Sequence, residues 1–135
     1  MKYIEGNIGR IILAKLEQGE DLIKSIRRIA EETQIAVGSF YAIGTLSTAH
    51  FYFYRPTPNP IIIEEELEIV ACIGSISQKD DETLVHGHID VTDSEFKSMG
   101  GHLLEGSIID AMAFVTIIEL KNGHDSEWMY TPRSQ

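Results

Sequence analysis

The stretch Leu84–Gly106 reads LVHGHIDVTDSEFKSMGGHLLEG and holds three of the chain's five histidines, His86, His88 and His102. His86 and His88 are two apart. On a strand that spacing puts both side chains on one face, because successive residues alternate. His102 follows a glycine pair, Gly100-Gly101. Glycines let a backbone turn sharply and come close to a neighbouring strand, so the chain is expected to fold back and set His102 beside the first two. Three neutral imidazoles around one ion, with a fourth position open, form the ligand set of many zinc sites. With this stretch placed on strands, the rest of the chain reads as the sheet that holds it.

Working outward, Leu67–Ser77 (LEIVACIGSIS) is nearly continuous in apolar residues and reads as a central strand. Gln78–Thr83 (QKDDET) is a polar hairpin loop. Downstream, Asp93–Met99 is a polar connection. Ile108–Ile118 is β-branched enough to favour strand over helix. Lys121-Asn122-Gly123 then turns the chain, and no element is assigned to the tail with Trp128.

Upstream, Gly9–Leu16 reads as a first strand. Asp21 suits the start of a helix. Leu22, Ile23, Ile26, Ile29 and Ala30 then share one helical face, and Lys24, Arg27, Arg28, Glu31 and Glu32 fall mostly on the other. Thr33-Gln34 ends it. Ile35–Ser47 is a strand with a bend or bulge at one of its glycines, Gly38 or Gly44. An aromatic strand follows, in which Phe51 and Phe53 alternate with Tyr52 and Tyr54. Pro56, Pro58 and Pro60 exclude regular structure, and Ile61–Glu66 is a short strand.

Strands follow one another without intervening helices, so the sheet must be largely antiparallel. The expected fold is α+β and sandwich-like: a twisted sheet of about seven strands with one main helix packed on it. A single domain is expected over residues 1–135, with a core at about 9–120 and a tail at 121–135.

The chain carries 21 acidic residues against 11 lysines and arginines, a formal net charge of −10. Such a surface repels phosphate backbones unless its cations cluster. Lys24, Arg27 and Arg28 are too few for a nucleic-acid footprint. No apolar run reaches the roughly 18 residues of a membrane span. The N-terminal MKYIEGNIGR lacks the apolar core of a signal peptide, so a cytoplasmic location is expected. Cys72, beside Val70, Ala71 and Ile73, reads as a small buried hydrophobe.

Two carboxylates are candidates for supporting roles. Asp90 continues the face of His86 and His88 and could accept from an imidazole N–H. Glu105 could act as a base toward metal-activated water. Its odd spacing from His102 puts it on the opposite face of a regular strand, unless the chain bends at a glycine. His50 and His124 are expected in solvent. Tyr41, Phe51, Tyr52, Phe53 and Tyr54 suit a core or a subunit interface. There is no phosphate-binding loop and no nucleophile elbow.

Four pieces taken together resemble the plants and prokaryotes conserved (PPC) domain family: GRIILAKLEQGEDLIKSIRRIAEE from Gly9, AIGTLS at Ala42–Ser47, the HGH at His86–His88, and GGHLLEG at Gly100–Gly106. The resemblance covers roughly Gly9 to Leu120. It implies an antiparallel sheet with a packed helix, assembly as homotrimers, and, in several members, metal binding through histidines matching His86, His88 and His102. Plant members bind AT-rich DNA through separate AT-hooks, and prokaryotic members are often labelled predicted DNA-binding proteins. This chain has no glycine-arginine-proline hook, and its charge opposes DNA binding. The expected function is a homotrimer that binds a divalent metal, zinc first, with an assembly or regulatory role. Two alternatives stay open: a metal-dependent hydrolase using metal-bound water, and a DNA-binding regulator. No substrate or small-molecule ligand follows from the sequence, and whether the chain is an enzyme is left undecided.

Overall fold

The computed structural model describes residues 1–53 and 56–123. Tyr54, His124 and Trp128 lie outside the described residues. Eight elements follow in order: β1 (Asn7–Glu17), α1 (Leu22–Thr33), β2 (Gly38–Phe53), β3 (Asn59–Ile63), β4 (Leu67–Lys79), β5 (Glu82–Thr92), β6 (Ser98–Leu103) and β7 (Ile108–Lys121). The strands form one antiparallel sheet in the order β1-β7-β2-β4-β5-β6, with β3 paired to β2. Among the described residues no helix is long and apolar enough to cross a membrane.

The organising strand is β2. Its first half lies between β7 and β4, and its second half takes β3 and β6 as partners. A bend makes this change possible. Gly44 has φ +151°, and a Cβ there would lie 2.4 Å from the Met112 carbonyl oxygen. The ladder shifts register on both sides of it, as a bulged and bent strand requires. Because β6 pairs with both β5 and the far end of β2, the strands β2, β4, β5 and β6 close into a ring.

The α+β expectation is overturned by this arrangement. Among the described residues one helix of 12 residues stands against seven strands, and the fold is largely β. The physical reason is the closure. A sheet that curls back on itself buries much of its own inner face, so the helix plugs one side rather than forming a layer.

Helix α1 starts where Asp21 accepts a hydrogen bond from the Lys24 backbone N–H (3.1 Å) through Oδ1. Asp21 Oδ2 also accepts from the Gly106 N–H at 2.7 Å, which pins the helix start to the β6–β7 connection. Gln34 ends the helix in the left-handed region, φ 58°. Leu22, Ile23, Ile26 and Ala30 are buried in one core cluster with Phe40, Cys72, Ile76, Ile89, Val115 and Ile117 of the sheet. Each of the buried leucine and isoleucine side chains contributes about 2 kcal/mol by leaving water, and Ala30 less than half of that.

The Arg10 guanidinium ties sheet to helix. It donates to Glu119 (3.0 and 2.8 Å) and to the Thr33 carbonyl at the helix end (2.7 Å). These bonds hold the Glu119 carboxyl down at about 2, well below the usual carboxylate range. The outer face of the sheet is different. Ile11, Leu13, Tyr41, Ile43, Ile73 and Phe114 are all more than half exposed there.

Candidate metal centre

His86 and His88 stand on β5 with Gly87 between them, and both point to the outer face. Gly87 is buried under the Phe40 ring, where a Cβ would lie 2.8 Å from Cζ. Strand β6 runs back antiparallel, with His88 opposite His102. The glycine pair is what lets it come close. A Cβ at Gly100 would lie 1.9 Å from the Ile89 carbonyl oxygen, and one at Gly101 would lie 2.6 Å from that of Tyr52. Side chains there would push β6 off β5 on one edge and off β2 on the other.

The three rings form one cluster. Centroids are 5.3 Å apart for His86–His88, 4.8 Å for His86–His102 and 5.7 Å for His88–His102. One donor nitrogen from each lies within 4.8 Å of the other two. Tyr52, opposite His102 on β2, stacks on its ring at 4.5 Å and 24°. His86 and His102 are half-buried and His88 is exposed. His86 Nε2 is buried with no hydrogen-bond partner. A buried polar atom left unmet costs about 1–3 kcal/mol.

Burial, and then the neighbouring imidazoles, push His102 down to about 4. Burial, followed by His88, lowers His86 as well. Both rings therefore stay uncharged at neutral pH, as a metal ligand must. The donor set suits a borderline divalent ion. Zinc–nitrogen bonds of about 2.0–2.1 Å in a tetrahedron place ligand nitrogens roughly 3.3 Å apart. The most distant donors here must close by about 1.5 Å, a movement within reach of an exposed side chain such as His88. The residues fit a three-imidazole site.

Neither candidate carboxylate joins the cluster. Asp90 lies opposite Gly100 and accepts from Ser98 Oγ at 2.6 Å. Glu105 faces the helix, 3.0 Å from Arg27 Nη1 and 4.0 Å from Lys24 Nζ. It shares with His86 and His102 a cleft of about 540 Å³, which Ile23, Arg27 and Leu103 also line. On the outer side a second groove, about 610 Å³, runs past Tyr41, Ile73, His86 and His88. His86 borders both.

His50 is half-buried rather than in solvent, with its Nδ1 2.6 Å from the Glu105 carbonyl. Cys72 is fully buried, and burial pushes its thiol up to about 12. The helix cations are matched by acids: Lys24 and Arg27 by Glu105, and Arg28 by Glu32 at 2.7 Å. The residue that sequence reasoning missed is Tyr52. Strand alternation flagged its aromatic run, but only the β2–β6 pairing puts that ring on His102.

Similar proteins are known. A plant- and prokaryote-conserved (PPC) protein from Pyrococcus horikoshii is 28% identical, with a TM-score of 0.79 over 90% of this chain and 86% of its own. A metal-containing protein from Archaeoglobus fulgidus is 28% identical, with a TM-score of 0.76 over 89% of this chain and 86% of its own. The bifunctional protein GlmU of Synechococcus sp. (strain JA-3-3Ab) is 30% identical over 111 residues, which are 82% of this chain and 17% of that protein. The chain thus spans a small part of that curated relative's length. The family model of the Plants and Prokaryotes Conserved (PCC) domain matches residues 3–121, and the chain belongs to that family.

Proposed function

We propose that this chain is the subunit of a homotrimer that holds a divalent ion, zinc first, between His86, His88 and His102, and that it serves an assembly or regulatory role. The observation that carries the reading is the cluster itself: three imidazoles that bring a donor each within 4.8 Å of the others, with His86 Nε2 buried and unpartnered. The metal content of the Archaeoglobus protein, at 28% identity, supports it. A bound zinc with an open position supplies Lewis acidity. The chain's own residues set the donors. Tyr52 fixes the His102 ring by stacking, and β5 holds His86 and His88 on one face.

The exposed outer face supports assembly, because a large apolar surface calls for a partner. A zinc titration against a chelating dye tests the site. His88→Ala is expected to lose at least tenfold in affinity while its circular dichroism stays that of the wild type. Unchanged affinity would mean that the ligands are misassigned.

The cleft against His86 and His102 favours a second reading, a metal-dependent hydrolase. Glu105 is poorly placed to be its base, since Arg27 and Lys24 already engage the carboxylate. The DNA-binding reading is disfavoured by the net charge of −10 and by the paired helix cations.

A further inference from the structure

We infer that the histidine site is completed by a second copy of this chain, whose surface closes over His88, so that metal binding and assembly are linked. The inference rests on the metal-binding, trimeric reading above. Its basis is the register of the sheet. Leu13, Thr116, Tyr41, Ile73, His88 and His102 lie opposite one another in a single row across β1, β7, β2, β4, β5 and β6. The adjacent row runs Ile11, Ile118, Ser39, Ser75 and His86. Side chains alternate faces along each strand, so both rows stand on the exposed outer face. The histidines are the last members of two rows that are otherwise apolar or hydroxylic.

The dimensions of an interface bring His88 inside it. Strands are spaced about 4.8 Å apart, so Leu13 and His88, four spacings apart, are separated by about 19 Å. A specific interface buries about 800 Å² per partner and is therefore roughly 30 Å across. A partner that covers Leu13, Tyr41 and Ile73 covers His88 in the same footprint.

Charge favours another copy as that partner. The chain has 21 acidic residues, yet neither row contains one. Two chains of charge −10 repel least where one of them presents these acid-free rows to the other. A contact between two different patches of the same chain closes into a ring when the rotation allows.

His88 is the one exposed member of the cluster and the one with room to move. A neighbour over it excludes water and restricts the ring, which offsets the entropy of drawing the donors together. The cleft lined by His86, His102 and Arg27 has none of Leu13, Tyr41 or Ile73 in its walls and stays as the path to solvent.

The test uses Leu13→Glu, four strands from His88, with mass read by light scattering and zinc affinity by dye competition. The expected result is a folded monomer whose zinc affinity falls at least tenfold, and wild-type trimer that dissociates more readily once a chelator removes the ion. The two effects must match per ion, because coupling is reciprocal. Monomeric Leu13→Glu with wild-type affinity overturns the inference. If Leu13→Glu stays trimeric, Tyr41→Glu is the second variant. Trimers from both would mean that the face is not the interface, and the inference falls. Should the variants fail to fold, dilution of the wild type through its dissociation range gives the same comparison. Wild-type protein that binds no zinc, or is monomeric throughout, overturns the proposed function itself. Wild type that binds and assembles with no coupling overturns this inference alone.

Discussion

Gly100→Ala is a small change with a large expected effect. The new Cβ would lie 1.9 Å from the Ile89 carbonyl oxygen, where real contacts essentially never fall below 3.0 Å. The difference, 3.0 minus 1.9, means that β6 and β5 must part by at least about 1.1 Å. The obstacle is backbone within a ladder and cannot rotate aside. Overpacking of this kind costs about 1–3 kcal/mol, and a weakened strand-pair hydrogen bond adds about 1 more. A loss of about 3 kcal/mol is expected in urea denaturation of metal-free protein at fixed concentration. His102 is two residues further on, so the displacement also spreads donors that already have to close. Zinc affinity should fall at least tenfold. Stability within about 0.5 kcal/mol of the wild type, with unchanged zinc affinity, would refute the claim that close strand approach builds the site.

One further substitution and one labelling experiment test the scaffold. Arg10→Met takes the guanidinium from the buried Glu119 carboxylate and leaves it only the backbone N–H at position 10, so the urea midpoint at pH 7 should fall. Glu119 is held at about 2 instead of the ordinary 4.5. Its contribution is therefore complete above about pH 4.5 and is lost as pH falls toward 2, and Arg10→Met should flatten that part of the stability–pH curve. An unaltered slope would mean that the pair does not form. Cys72, with its thiol pushed up to about 12, should resist thiol reagents at pH 8 and react at the rate of global opening. Fast labelling of folded protein would contradict its burial.

Much of the site was legible because it rests on short-range rules. Strand parity placed His86 and His88 together, and the glycine pair announced a close return. The helix could be read from Asp21 to Gln34 because cap chemistry and the apolar stripe agree. Periodicity reports which face a residue occupies, but it does not report which strands are neighbours. The β2–β6 pairing joins residues some fifty positions apart and leaves no local pattern. Without it the closed ring, the largely β class and the stacking of Tyr52 on His102 were out of reach. For the same reason Ile35–Ser47 and the aromatic run looked like two strands, although Gly38–Phe53 is one bent strand of 16 residues. The start of β6, Ser98 and Met99, reads as part of the polar connection, since SMGGHL has no apolar alternation. Glu105 reads as a candidate base because nothing in its neighbours along the chain points to Arg27 on the helix.

The central claim is that three histidines hold one ion per subunit. Elemental analysis of untagged protein, purified without added metal or chelator, tests it most directly. About one zinc, or another divalent ion of the same preference, is expected per chain, with its loss from the His86, His88 and His102 alanine variants. Protein that is folded and metal-free, and that gains no ion on incubation with zinc, would contradict it.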